Sequence, residues 1–289
     1  MEPIFQGGNS MKIGITLSES KTQYYINQAY VDYVVTAGFE PVLLCPNTDL
    51  EKSMSSVGGL VLPGGIDVDP IYYGSDNVAS FRTDPAKDSF EREVLDIAMT
   101  RAVPIFGICR GLQLIALECM HNNSNIAKRL KFSQHIPNHN QVDDQNLERS
   151  NFQHHVNMNI GVLYGNAVGQ DPTIERRPVN SMHHQCLVGT ISSKKNLFIR
   201  GNNPETGLFM LAWTSRGLKS TKQDTHDVVV EAFCLSGFKS KILAVQWHPE
   251  EVNDTNLLTT FFSSKGATLP NVPPKAVTQN VQLPVKAGS

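Results

Sequence analysis

No stretch of this chain is apolar over the length needed to cross a bilayer, and no long run of lysine or arginine stands out. The formal net charge is only -2. These absences argue against a membrane span, a nucleic-acid footprint and a patch for anionic membrane surfaces. The five cysteines, Cys45, Cys109, Cys119, Cys186 and Cys234, are odd in number and widely scattered. Neither a disulfide framework nor a zinc ribbon is indicated, and a reducing, cytoplasmic setting is expected. Neither G-x-x-x-x-G-K-[ST] nor G-x-G-x-x-G occurs, so there is no phosphate loop. Residues 1–10 lack the charged and apolar regions of a signal peptide. They read as a cloning remnant or disordered leader, since a natural-looking start, Met11-Lys12-Ile13-Gly14-Ile15, follows. No internal repeat is present.

What remains is a chain of 289 residues with 40% hydrophobic content, enough to bury a large core. Lys12–Thr16, Pro41–Cys45, Gly59–Leu62 and Val103–Ile108 read as strands. Tyr24–Ala37 reads as a helix closed by Gly38. A second helix is expected from Asp88, with Glu91 completing a capping box, to about Thr100. This alternation implies an α/β fold, with a central mostly parallel sheet between two helical layers. Lys131–Phe152 is polar and reads as a long loop. Leu208–Trp213, Val228–Leu235 and Ile242–Gln246 read as antiparallel additions to the sheet edge. Asn256–Ser263 should be a closing helix. Residues 11–265 are expected to form the folded domain and 266–289 a disordered tail, Asn271–Ser289 being rich in Pro, Val and Gln.

The most informative segment is Pro104-Ile105-Phe106-Gly107-Ile108-Cys109-Arg110-Gly111-Leu112-Gln113. A β-prone run ends in a cysteine with glycine two residues either side, and a helix-forming run follows. That is the layout of a nucleophile elbow, in which a sharp strand-to-helix turn exposes the nucleophile. A helix N-terminus at the sulfur favours the thiolate. Taken alone, the same pattern also suits a buried inert thiol. A thiolate nucleophile needs a base, and the base needs an orienting group. Leu243-Ala244-Val245-Gln246-Trp247-His248-Pro249-Glu250 ends a buried strand in His-Pro-Glu. His248 and Glu250, two apart, lie on one side of extended backbone. Glu250 can then hold one imidazole nitrogen and leave the other for Cys109. The strand that ends in Pro63-Gly64-Gly65 offers backbone N–H groups for an oxyanion, together with that of Arg110.

Jointly these pieces resemble the class I glutamine amidotransferase-like superfamily, flavodoxin-like in fold, and within it the peptidase C26 branch. The γ-glutamyl-γ-aminobutyrate hydrolases are the subfamily most resembled. The resemblance runs from about Lys12 to Phe262. It is carried by Leu62–Pro70 with Tyr73-Gly74, by Asp84, Asp88 and Glu91, by Gly107–Gln113, by Val179-Asn180-Ser181-Met182-His183-His184-Gln185, and by Val245–Glu250. It implies a Cys109–His248–Glu250 triad that cleaves a γ-glutamyl amide through a γ-glutamyl thioester. Gly65 and Arg110 would hold the oxyanion, and Gly64, Gln113, Asn180, Ser181 and His183 would bind substrate. No metal and no cofactor are implied. The expected partner is a small γ-glutamyl compound, and the expected assembly a homodimer. Two alternatives stand beside this: a glutaminase that passes ammonia to a partner, and an inactive binding protein on the same scaffold. Relatives carry a Gly-Gly-Thr-Leu turn after the cysteine helix, which helps shape the wall of the site. Here Glu118–Asn125 replaces it without a glycine. His135 and His139 are expected as solvated loop histidines rather than a metal site. Asp143, Asp144, Glu148 and Arg149 are expected as a solvated charge patch, Cys119 as helix packing, and Tyr24, Tyr25 and Tyr30 as core and rim.

Overall fold

Short runs of Ile, Val and Leu make the central strands, and they are buried on both faces, as a sheet covered by helices requires. The computed structural model describes residues 10–128, 130–140, 146–160, 174–192, 208–215, 218, 225–235 and 239–263. The parallel part of the sheet contains β1 (Lys12–Thr16), β4 (Glu40–Leu44), β5 (Gly59–Leu62), β6 (Ile105–Ile108) and β13 (Ile242–Val245). Their spatial order is β4-β1-β5-β6-β13, every neighbouring pair parallel. Every residue of β5, β6 and β13 is buried. Beyond β13 the sheet turns antiparallel through β12 (Thr225–Leu235), β11 (Leu208–Thr214), β8 (His154–Asn159) and β9 (Ile174–Val179). β10 (Cys186–Ser192) also pairs with β12, and β7 (Lys131–Ser133) pairs with β10.

Helices cover both faces. On one, α3 (Pro85–Thr100) and α4 (Arg110–Asn122) bury Val94, Leu95, Leu112 and Ile115 against Leu60, Leu62, Ile105 and Phe233. On the other, α1 (Gln28–Thr36) and α6 (Thr255–Ser263) bury Tyr33, Val34, Leu258 and Phe261 against Ile13, Val61, Phe106 and Val245. There are also two minor α-helices, α2 (Leu50–Ser53) and α5 (Ser124–Ala127), and 3-10 turns at Met54–Ser56 and Pro70–Tyr73. The architecture is the expected three-layer α/β/α sandwich.

Several local expectations are corrected. α1 begins at Gln28, because the Asn27 side chain accepts the Ala29 N–H at 3.0 Å and caps it. Tyr24–Tyr25 is instead β3, paired with β2 (Ser18–Glu19) in a hairpin. Gly38 has φ +87°, the left-handed residue expected after α1. The cap of α3 is Asp84, not Asp88: Asp84 Oδ1 accepts from Ala86 and Lys87 N–H at 3.1 Å, and Pro85 suits the first helical position. Asp88, one turn inside, is fully buried. β13 is antiparallel to β12 but parallel to β6, so it closes the parallel core rather than adding to its edge. Lys131–Phe152 is not all loop, since β7 opens it. Asp143 and Asp144, residues 1–9 and the expected tail lie outside the described residues.

Candidate active site

The elbow exists because two glycines let α4 press against the sheet. A Cβ on Gly111 would lie 2.1 Å from the Leu62 carbonyl oxygen. One on Gly107 would meet Ile115 Cδ1 at 2.6 Å and the Gly111 backbone at 3.0 Å. Between them Cys109 is forced to φ 51°, ψ -105°, a conformation that side-chain-bearing residues rarely adopt and that surrounding structure must hold. Its N–H donates to Val245 O at 2.8 Å, and its carbonyl accepts the Gln113 N–H at 3.2 Å. The sulfur therefore stands at the N-terminus of α4, where two strand ends meet.

His248 and Glu250 follow β13, the strand beside β6. His248 Nδ1 donates to Glu250 Oε1 at 2.6 Å, and the ring and the Cys109 side chain both close on Gly64, where a Cβ would lie 2.8 Å from His248 Cε1 and 3.4 Å from Cys109 Cβ. Burial opposes the imidazolium, but the charges on Glu250 and Cys109 outweigh it and push the His248 pKa up to about 10. Gln246, fully buried, donates Nε2–H to Cys109 Sγ at 3.5 Å.

Gly64 sits in the middle of this group. Its N–H donates to the Tyr30 hydroxyl at 2.9 Å, and that hydroxyl lies 3.3 Å from His248 Nδ1. A Cβ at Gly64 would meet Tyr30 Oη at 2.6 Å and His248 Cε1 at 2.8 Å. Burial, then the charge on Glu250, raises the Tyr30 pKa, so the phenol keeps its proton. Sequence alone marks Tyr30 only as core or rim. Its place against His248 is hidden there because α1 and β13 are far apart in the chain.

Gly65, Cys109, Gln113 and His183 line a cleft of about 830 Å³. Asp67, Phe81, Arg82 and His184, not singled out as site residues from the sequence, form its outer part. His184 Nε2 bonds Asp67 Oδ2 at 2.9 Å, and Phe81 packs on its ring with centroids 4.4 Å apart. Gln113 Nε2 donates to Gln185 O at 3.0 Å. His183 donates Nδ1–H to Gln185 O at 2.9 Å, and burial lowers its pKa to about 3, so the ring is neutral.

Three of the residues expected to contact substrate make hydrogen bonds within the protein. Asn180 Oδ1 accepts the His248 N–H at 2.9 Å, and its Nδ2 donates to His248 O at 2.9 Å and Arg149 O at 3.0 Å. It clamps the His248 backbone and is not among the residues lining the cleft. Ser181 Oγ–H donates to His139 O at 2.6 Å, and Ser181 is fully buried. Gly64 N–H is taken by Tyr30. The Arg110 side chain is also elsewhere, paired with Asp88 and Glu91 beneath the elbow. Thr16 Oγ1 and Lys87 Nζ bond Glu91 at 2.7 and 2.9 Å, and Asp69 N–H bonds Asp88 at 2.9 Å. Burial opposes ionisation of Glu91, but Arg110 and Lys87 together hold its pKa below the usual range. This closed set of two cations and two carboxylates fixes the floor under Gly65, where a Cβ would lie 3.3 Å from Arg110 Cδ.

The unusual segment after the cysteine helix is not at the site wall. α4 runs on to Asn122, and Asn123 caps α5 by accepting from Asn125 N–H at 3.0 Å. At ~1.5 Å per residue, Glu118–Asn122 lies about 12–18 Å along the helix from the elbow. His139 is fully buried rather than solvated, and Arg149 is paired with Glu251 at 2.6 Å. Cys119 packs in the core as expected.

Among the described residues, no helix is long and apolar enough to cross a membrane. The family model for peptidase C26 matches residues 9–250. A candidate glutamine amidotransferase-like protein, YvdE of Lactococcus lactis, is 30% identical over 238 residues, which is 78% of this chain and 80% of that protein. The γ-glutamyl-γ-aminobutyrate hydrolase PuuD of Escherichia coli is 24% identical over 252 residues, 84% of this chain and 86% of that protein. A candidate GMP synthase component from Thermoplasma acidophilum superimposes with TM-score 0.51 at 14% identity, over 89% of this chain and 94% of that one, a likeness of fold alone. With the family model spanning most of its length, the chain belongs to the peptidase C26 family.

Proposed function

We propose that the protein hydrolyses γ-glutamyl amides through Cys109, with His248 as acid and base and Glu250 as its orienter. The observation that carries this is His248, held on Glu250 by a hydrogen bond, standing beside Cys109 at the head of a cleft. The raised pKa of His248 means that an imidazolium stands ready beside the sulfur. Cys109 Sγ attacks the γ-carbonyl carbon, and the carbonyl oxygen takes the negative charge. The N–H groups of Gly65, after β5, and Arg110, opening α4, would hold that charge. His248 gives its proton to the amide nitrogen, the C–N bond breaks and the amine leaves. A γ-glutamyl thioester remains. Neutral His248 then takes a proton from water, the hydroxide adds to the thioester, and the C–S bond breaks to release the acid. Gln113 and His183 bound the pocket for the glutamyl group. PuuD, by its name, acts on γ-glutamyl-γ-aminobutyrate, and this supports an amine carrying a carboxylate as the leaving group.

The test is amine release from glutamine and from a panel of γ-glutamyl amides, by wild type and by Cys109→Ala. Turnover of one or more γ-glutamyl amides by wild type alone is expected, with a mass adduct on Cys109 during turnover. No release above the variant on any substrate would overturn the proposal. YvdE's name favours a second reading, glutamine hydrolysis for a synthase. Release from glutamine alone, and only with such a partner, would establish it instead.

A further inference from the structure

Behind the wall of the cleft lies a knot of buried imidazoles around one carboxylate. His139 and Glu231 are fully buried, and His154 and His183 are 7% and 4% exposed. They come from four places: the loop after β7, the middle of β12, the start of β8 and the segment before β10. His154 Nε2 lies 2.9 Å from Glu231 Oε1 and His139 Nε2 3.6 Å from it. The His139 ring is 4.9 Å from that of His154 and 5.0 Å from that of His183, centroid to centroid.

The hydrogen bonds assign the protons. His139 Nδ1 faces the Pro137 carbonyl at 3.1 Å, and a carbonyl only accepts, so the proton sits on Nδ1. The lone pair of His139 Nε2 then points at a carboxylate. His183 is arranged in the same way, with Nδ1–H on Gln185 O and Nε2 without a partner. His139 Nε2 and Glu231 Oε2 also lack partners. A carboxylate likewise only accepts, so His154 holds its proton on Nε2 toward Glu231 and would give it up to a metal, while the unpartnered lone pairs of His139 and His183 beside a buried negative charge suit a cation. Holding Nδ1–H on a backbone carbonyl is how metal-ligating histidines fix the other nitrogen toward an ion.

We propose that His139, His154 and Glu231 form a metal site, and that its ion is a divalent transition metal of the zinc class. One ligand atom from each lies within 4.8 Å of the other two. Two imidazoles and a carboxylate are the donor set zinc takes, whereas calcium and magnesium require a shell of oxygens. The site is distinct from the cysteine centre, because no thiolate belongs to it. Its role is to hold the loop of His139. That loop carries the carbonyl that accepts from Ser181 Oγ and from His183 N–H, so the metal braces the His183 wall of the cleft from behind.

The experiment uses full-length wild type, Cys109→Ala and Glu231→Gln, each stripped with a chelator and dialysed against zinc. Metal content, the rise in Tm on adding zinc, and the absorption of a cobalt-loaded sample are read. One zinc per chain is expected in wild type and in Cys109→Ala, with affinity lowered about tenfold or more in Glu231→Gln. Cobalt should give the visible bands of a nitrogen and oxygen site, without the near-ultraviolet charge transfer of a thiolate. Substoichiometric zinc in wild type, equal affinity in Glu231→Gln, or loss of binding in Cys109→Ala would overturn the proposal. If Glu231→Gln does not fold, the cobalt spectrum and stoichiometry of wild type decide alone.

Discussion

Replacing Arg110 by Met isolates the ion cluster beneath the elbow. Wild type buries Arg110, Lys87, Asp88 and Glu91 at 4% exposure or less, and their charges cancel. Without the guanidinium, Glu91 keeps Lys87 and Thr16, but Asp88 keeps only the Asp69 N–H. Asp88 must then take up a proton or stay as an unpaired buried anion. Burial already holds its pKa above the ordinary 3.8. For a carboxyl of that ordinary value, protonation at pH 7 costs about 4 kcal/mol, and at pH 5 about 1.6 kcal/mol. The first figure falls within the roughly 3–5 kcal/mol expected for breaking a buried pair. Arg110→Met should therefore lose about 4 kcal/mol at pH 7, and the loss should shrink by more than half at pH 5. Adding Asp88→Asn restores neutrality and keeps an acceptor for Asp69, so the double variant should recover most of the loss and its pH dependence. Urea unfolding of the four proteins at both pH values measures this. A single-variant loss under about 1 kcal/mol, a loss independent of pH, or strict additivity in the cycle would refute the reasoning.

Gly111→Ala places a methyl 2.1 Å from a backbone oxygen that cannot swing aside, so α4 must lift off β5. A stability loss of about 3 kcal/mol or more, with loss of turnover, is expected by denaturant titration and amine-release assay. Tyr30→Phe leaves the Gly64 N–H buried without its acceptor, which should cost about 1–3 kcal/mol in unfolding free energy, with a lower kcat. His248 has its folded pKa raised to about 10 from an ordinary 6.5. The stability this contributes is full below pH 6.5 and is lost as pH rises towards 10, by up to about 5 kcal/mol. Removing the Cys109 side chain, which acts on His248, with Cys109→Ala should move that decline to lower pH, seen in Tm against pH and in the NMR titration of the His248 ring.

The sequence by itself determined the elbow and the sheet that carries it. Gly107, Cys109 and Gly111 encode a local steric fact, the closeness of a strand end to the helix that follows, and local facts are legible in spacing. The pairing of His248 with Glu250 is local too, though a turn closed by the Glu251 N–H on His248 O, not extended chain, brings them together, and the buried β5, β6 and β13 have unbroken apolar runs that exclude any exposed position. Only the tertiary structure decided who else stands there. Tyr30 reaches His248 from another layer, and Asn180 clamps the His248 backbone across 68 residues. The Arg110 charge is turned to α3, onto Asp88 and Glu91. The segment Glu118–Asn125 departs from its relatives at the far end of α4. His139, His154, His183 and Glu231 lie scattered over 93 positions of a polar-looking sequence and meet only because β8, β10 and β12 share one sheet. Contacts between distant residues depend on how layers pack and in what register, and neither is carried by the residues between them.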